Sequence, residues 1–117
     1  MEYKLIKTGK DLLYFEVIGN YSQQEGERII KELHNRCVKG KISKILVDIT
    51  KKDGNIPVLD RFFFGTLIAK LFSYKIKMAV IGKKDQVTRF SEVVASNRGA
   101  RLGIFREKKE AIKWLKV

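Results

Sequence analysis

Lys44-Ile45-Leu46-Val47-Asp48-Ile49 and Ile76-Lys77-Met78-Ala79-Val80-Ile81, with Val58–Phe72 between them, decide the fold. The two flanking runs are short, apolar and rich in β-branched residues. Runs of that length and composition suit strands covered on both faces. The segment between them is long enough for a helix. It is entered by a loop, Thr50 to Pro57, that contains Asp53-Gly54-Asn55. A strand, a helix and a second strand imply a parallel pair joined by a right-handed crossover.

Outward from this unit the same alternation continues. Glu2–Lys7 and Leu12–Ile18 read as two strands, and Thr8-Gly9-Lys10-Asp11 supplies a hairpin turn between them. Ser22, three residues before Glu25, fits a capping box in which each side chain bonds the other's backbone N–H. Ile29, Ile30, Leu33 and Cys37 follow at helical spacing, with Gly26 on the same stripe, and Gly40 is the expected left-handed terminator. Beyond Gly82, Asp85 is placed to cap a third helix with Val87, Phe90, Val93 and Val94 inward, closed by Asn97-Arg98-Gly99. Arg101–Phe105 reads as a last strand. Glu107–Lys116 reads as a last helix, with Ala111, Ile112 and Leu115 inward. The order ββαβαβαβα gives an α/β class with a mixed, mainly parallel sheet. No linker or repeat divides residues 1–117, so a single domain is expected.

Composition narrows the function. Hydrophobic residues at 44% are enough for one core and argue against disorder. No apolar run approaches the ~20 residues of a membrane span. The first residues, Met1-Glu2-Tyr3-Lys4, do not lead into a signal-peptide core. A lone cysteine suits a reducing compartment, so a cytoplasmic location is expected. The net charge is +12, unevenly placed: residues 1–40 hold seven bases and six acids, and residues 41–117 hold eighteen and seven. Such asymmetry attracts nucleic acid, anionic lipid or an acidic protein, or serves solubility alone.

The inventory for catalysis is thin. His34 is the only histidine and lies mid-helix. Cys37 shares the apolar stripe of that helix, where a thiol is inert. Two such side chains fall short of the three or four ligands of a zinc site. Gly82-Lys83-Lys84-Asp85 lacks the glycine spacing and the terminal Ser or Thr of a phosphate loop. Asp48 and Asp60 flank the end of a strand and the start of a helix, where open parallel sheets bind ligands. Asp60 equally suits the positive end of a helix dipole. No catalytic residue, metal or cofactor is expected.

Val58–Phe72 carries the strongest signal. Val58, Leu59, Phe62, Phe63, Phe64, Leu67, Ile68, Leu71 and Phe72 point in nearly every direction around the axis. A surface helix has one apolar stripe. One apolar all round is covered on more than one side, by neighbouring helices, a second subunit, a greasy ligand or a membrane surface.

Lys44 to Thr50, Asp60-Arg61-Phe62, Met78-Ala79-Val80-Ile81-Gly82, Asn97-Arg98-Gly99-Ala100, Ile104-Phe105 and Glu110-Ala111-Ile112-Lys113-Trp114-Leu115 together resemble the SpoIIAA-like group of STAS domains. These are relatives of the bacterial anti-anti-sigma factors and of the cytoplasmic domains of sulfate transporters, with a distant likeness to lipid-binding CRAL-TRIO domains. The resemblance covers nearly the whole chain. It implies an α/β sandwich with helices chiefly on one face of the sheet, and non-enzymatic binding of a partner protein or a small or lipidic ligand. The departure is the phosphoacceptor: where the anti-anti-sigma factors place a serine after an aspartate, this chain has Asp60 followed by Arg61. The phosphoserine switch is therefore not carried over.

The binding surface expected from strand ends and charge comprises Asp48, Thr50, Lys51, Lys52, Asp60 and Arg61, with Lys83 and Lys84 on the neighbouring loop. Phe62, Phe63, Phe64 and Leu67 are expected at an interface, in the first place that of a homodimer. The alternative is a lipid or membrane-surface domain using the apolar helix beside Lys70, Lys75 and Lys77. Specific nucleic-acid recognition is not expected, because the aromatics lie in apolar runs rather than between bases.

Overall fold

The structure is a computed structural model that describes residues 1–9, 11–72, 75–83 and 101–116. The expected third helix from Asp85 to Gly99, and Lys84, lie outside the described residues.

Strand β1 (Glu2–Gly9) and strand β2 (Leu12–Asn20) form the hairpin. β1 runs two residues further toward the turn than expected, and β2 runs two residues further at its far end, to Asn20. Asp11 absorbs the reversal with φ of 67°, a left-handed conformation that Asp tolerates better than most residues. The β1 register slips between Leu5 and Lys7. Helix α1 (Gln23–Gly40) starts at Ser22, whose Oγ accepts the Glu25 N–H at 3.3 Å. Only half of the capping box forms, because the Glu25 carboxylate takes bonds from Arg28 at 2.7 and 3.0 Å. The left-handed terminator is Lys41 rather than Gly40.

Strand β3 (Lys44–Asp48) is followed by a two-residue strand the sequence did not announce, β4 (Lys52–Asp53). It pairs in parallel with Gly19 and Asn20 at the end of β2. Gly54, at φ of 85°, turns the chain away. Helix α2 (Val58–Leu71), strand β5 (Lys77–Ile81), strand β6 (Arg101–Phe105) and helix α3 (Lys108–Leu115) complete the described elements.

The sheet order is β1-β2-β3-β5-β6. β1 is antiparallel to β2 and the remaining pairs are parallel. Because the parallel strands are in register, rows of side chains cross the sheet. Leu13, Ile45, Met78 and Leu102 make one row, and Phe15, Val47, Val80 and Ile104 the next on the same face. Against them pack Ile29, Leu33 and Cys37 of α1 and Ile68 of α2. Phe15 and Ile45 have no exposed surface, and burying such side chains contributes roughly 1.5–3 kcal/mol each.

The opposite face carries Leu46, Ala79 and Gly103 in one row and receives Ala111 and Leu115 of α3. Small residues are needed there. A Cβ on Gly103 would meet the Phe105 ring at 2.8 Å and Trp114 at 3.3 Å. Among the described helices, two therefore cover one face of the sheet and one covers the other.

Candidate functional site

The loops leaving β3 and β5 and the start of α2 meet at the C-terminal edge of the sheet. Asp48 closes its own turn: Oδ1 accepts the Thr50 N–H at 2.8 Å and the Thr50 hydroxyl at 2.6 Å. The adjoining backbone is tied to β5, where Ile49 N–H donates to Ile81 O at 2.8 Å. Lys51 is exposed and pairs with Glu16 of β2. Lys83 is exposed on the neighbouring loop.

Lys52 departs from expectation. Read as a solvent-facing cation, it is instead only 2% exposed. Its place in β4 turns the side chain inward, where Nζ donates to Gly54 O and lies 5.4 Å from the centre of the Tyr21 ring. Tyr21 is the residue that sequence reasoning missed. Its hydroxyl donates to Asp60 Oδ2 at 2.7 Å, and its ring meets Phe64 edge-on at 6.3 Å. Burial first, and then the bond to Asp60, push the phenol above its ordinary range. No motif marks Tyr21, since β4 alone brings it beside Lys52: Tyr21 N–H donates to Asp53 O at 2.8 Å.

Helix α2 divides along its length. Phe64, expected at an interface, is buried and packs on α1, where a Cβ on Gly26 would lie 2.8 Å from its ring. Phe63 and Leu67 are half-buried. Exposure gathers instead at the first turns: Val58 at 60%, Leu59 at 81% and Phe62 at 43%. Pro57 precedes this turn and offers no side-chain cap.

Behind the edge, between α1, α2 and the sheet, lies a cavity of about 140 Å³. Its described walls are almost entirely apolar, among them Val17, Ile29, Phe64 and Val80, with Tyr21, Lys52 and Arg61 as the polar members. The structure thus brings together Asp48, Thr50 and Lys51 on the outer loop and Lys52 and Arg61 at the cavity, with Asp60 tied to Tyr21.

The other candidates for chemistry lie elsewhere. Cys37 is buried, and burial pushes its thiol up to about 11, so it stays protonated near neutrality. His34 meets the Phe72 ring edge-on at 5.3 Å. Among the described residues no three His, Cys, Asp or Glu side chains are grouped to hold a metal, and no helix is long and apolar enough to cross a membrane.

Solved structures of the same fold cover nearly all of this chain. An anti-sigma factor antagonist from Mycobacterium paratuberculosis matches with a TM-score of 0.65 at 9% identity, over 99% of this chain and 96% of that one. An uncharacterized DUF3478-family protein with a SpoIIAA-like fold, from Shewanella loihica, matches with a TM-score of 0.57 at 22% identity, over 97% and 92%. SpoIIAA in its unphosphorylated form matches with a TM-score of 0.55 at 11% identity, over 98% of both chains. No protein-family model and no curated protein sequence matches. The fold is therefore the SpoIIAA-like one, as the resemblance implied.

Proposed function

We propose that this chain is a non-catalytic interaction module, and that a partner protein docks on the C-terminal edge of the sheet. The carrying observation is the first stretch of α2, where Val58 and Leu59 are mostly exposed and Phe62 is exposed in part. Apolar side chains exposed together at one point mark contact sites. Lys83, exposed on the loop after β5, and the basic excess of residues 41–117 favour a partner with acidic groups around an apolar seat. A second copy of this chain, at +12, would bring its own repulsion to that contact. Two of the fold relatives are antagonists of anti-sigma factors, that is, modules that act on other proteins. Absence of catalysis fits the buried, protonated Cys37 and the ring-packed His34.

The test is Leu59→Asp, followed by native mass spectrometry of protein isolated gently from its source. Complexes held by wild type are expected to be lost by the variant at unchanged thermal stability. The same complexes in both would remove the docking surface from α2.

A second reading has its own observation, the apolar cavity with buried Lys52 at its polar end. About 140 Å³ holds an apolar group of benzene size rather than a whole lipid tail. The ligand would be a small amphiphile with an anionic head. Retained mass of that size in the same spectra supports it, and bare protein masses throughout oppose it.

A further inference from the structure

The opposite edge of the sheet carries a different feature. On the face that holds α3, the row nearest the N-terminal edge reads Leu12, Lys44, Lys77, Arg101. The last three open three neighbouring parallel strands in register, so their side chains leave one face together. Adjacent strands lie about 4.8 Å apart, so these three cations span about 10 Å.

Helix α3 ends over this row. Lys77 Nζ donates to Trp114 O at 2.7 Å and lies 4.4 Å from the Trp114 ring centre. Lys44 Nζ donates to Lys116 O at 3.2 Å. Lys116 takes the left-handed conformation that closes the helix and adds a fourth charge.

The helix end accounts for part of this. The last carbonyls of a helix lack internal partners and carry about half an elementary negative charge, which suits nearby cations. Half a charge, together with the Asp11 carboxylate that acts on Lys44 from the hairpin turn, does not balance four. Among the described residues, no ion pair reaches Lys44, Lys77, Arg101 or Lys116. The crowding registers in Lys77. Its ammonium is held below the ordinary lysine range, first by desolvation and then by Arg101, Lys116 and Lys44. Arg101 and Lys116 stay exposed at the mouth of the nook.

We propose that this nook, bounded by Lys44, Lys77, Arg101 and Lys116 beneath the end of α3, binds a small oligophosphate. Arg101 supplies the planar fork that grips phosphate oxygens two at a time. Lys116 closes over the second phosphoryl group, and Lys44 and Lys77 form the charged floor. The reach of about 10 Å suits two or three linked phosphoryl groups rather than the long track of a nucleic-acid backbone. The site lies on the edge opposite α2's exposed turn and does not depend on the docking reading.

The test is calorimetric titration of the whole chain with sodium tripolyphosphate at constant ionic strength. Saturable one-to-one binding is expected. Arg101→Gln with Lys116→Gln is expected to weaken it at least about tenfold, since each lost charge-assisted contact removes a sizeable share of the binding free energy. Both side chains are exposed, so the fold should persist. Lys39→Gln with Lys109→Gln removes the same charge from exposed positions elsewhere and is expected to titrate like wild type. Trp114, the only tryptophan, gives an independent signal: its emission should change with the same midpoint. Equal weakening in both double variants would reduce the effect to diffuse charge and overturn the site. So would the absence of saturable binding, or an indifferent Trp114.

Discussion

The two edges of one sheet carry opposite kinds of surface. At the C-terminal edge the polar groups satisfy one another: Asp48 with Thr50, Glu16 with Lys51, Tyr21 with Asp60. What faces outward there is apolar, in Val58, Leu59 and Phe62. At the N-terminal edge the apolar groups pack α3, and beneath its end Lys44, Lys77, Arg101 and Lys116 gather on one face. The difference follows from chain direction. In a parallel sheet the crossover helices run against the strands, so α2 begins at the C-terminal edge and α3 ends at the other. The positive end of α2 suits Asp60, and the negative end of α3 suits Lys44 and Lys77. The electrostatic ground of each edge is thus set by topology. What topology leaves over is an exposed apolar turn on one side and two further cations on the other, and the two proposals rest on these.

Substitutions can break or sharpen this contrast. The largest expected effect separates the two halves of α2. Phe64→Ala removes a buried ring that anchors the helix to α1 and should destabilise by about 3–5 kcal/mol in denaturant unfolding. Leu59→Ser, at an 81% exposed position, should change stability by less than about 0.5 kcal/mol. If Leu59→Ser cost as much as Phe64→Ala, the apolar turn would belong to the core.

Gly26→Ala tests the same helix contact from the other side. The added methyl would sit 2.8 Å from the Phe64 ring, and such overpacking should cost about 1–3 kcal/mol by thermal or chemical unfolding.

At the N-terminal edge, Asp11 accepts from the Ser43 N–H at 2.6 Å and from its hydroxyl at 2.7 Å. Those bonds, with help from Lys44, hold the carboxyl below its ordinary range against a smaller desolvation effect. A depressed carboxyl stabilises the fold above the unfolded value of about 4 and loses that contribution as pH falls through the folded value. Asp11→Asn keeps the left-handed turn and removes the charge. It should cost about 1 kcal/mol at neutral pH, the low end for a charged bond because the site is partly solvated. It should also flatten the acid limb of a melting-temperature profile, and an unchanged limb would dismiss the charge.

Tyr21→Phe removes the bond to Asp60 and should cost about 0.5–1.5 kcal/mol by denaturant unfolding.

Much of this frame was legible in the sequence, because period and punctuation carry it. Lys44–Asp48 and Lys77–Ile81 appear within a residue of their expected limits, and Val58–Leu71 is helical as its length implied. The site was less legible, for physical reasons. Nothing local distinguishes Lys52 from Lys51. A two-residue pairing with Gly19 and Asn20 buries one and leaves the other outside. An all-round apolar helix does not say which turn is covered, so Phe64 was expected outside, although packing on Gly26 places it within. The cation row is invisible along the chain. Lys44, Lys77 and Arg101 are far apart in sequence and become neighbours only through register.

The most direct test of the docking account compares complexes of wild type, Leu59→Asp and Arg101→Gln, each isolated gently and weighed by native mass spectrometry. The account predicts that wild type and Arg101→Gln hold the same protein partner and that Leu59→Asp, equally stable, holds none. A partner retained by Leu59→Asp would contradict it.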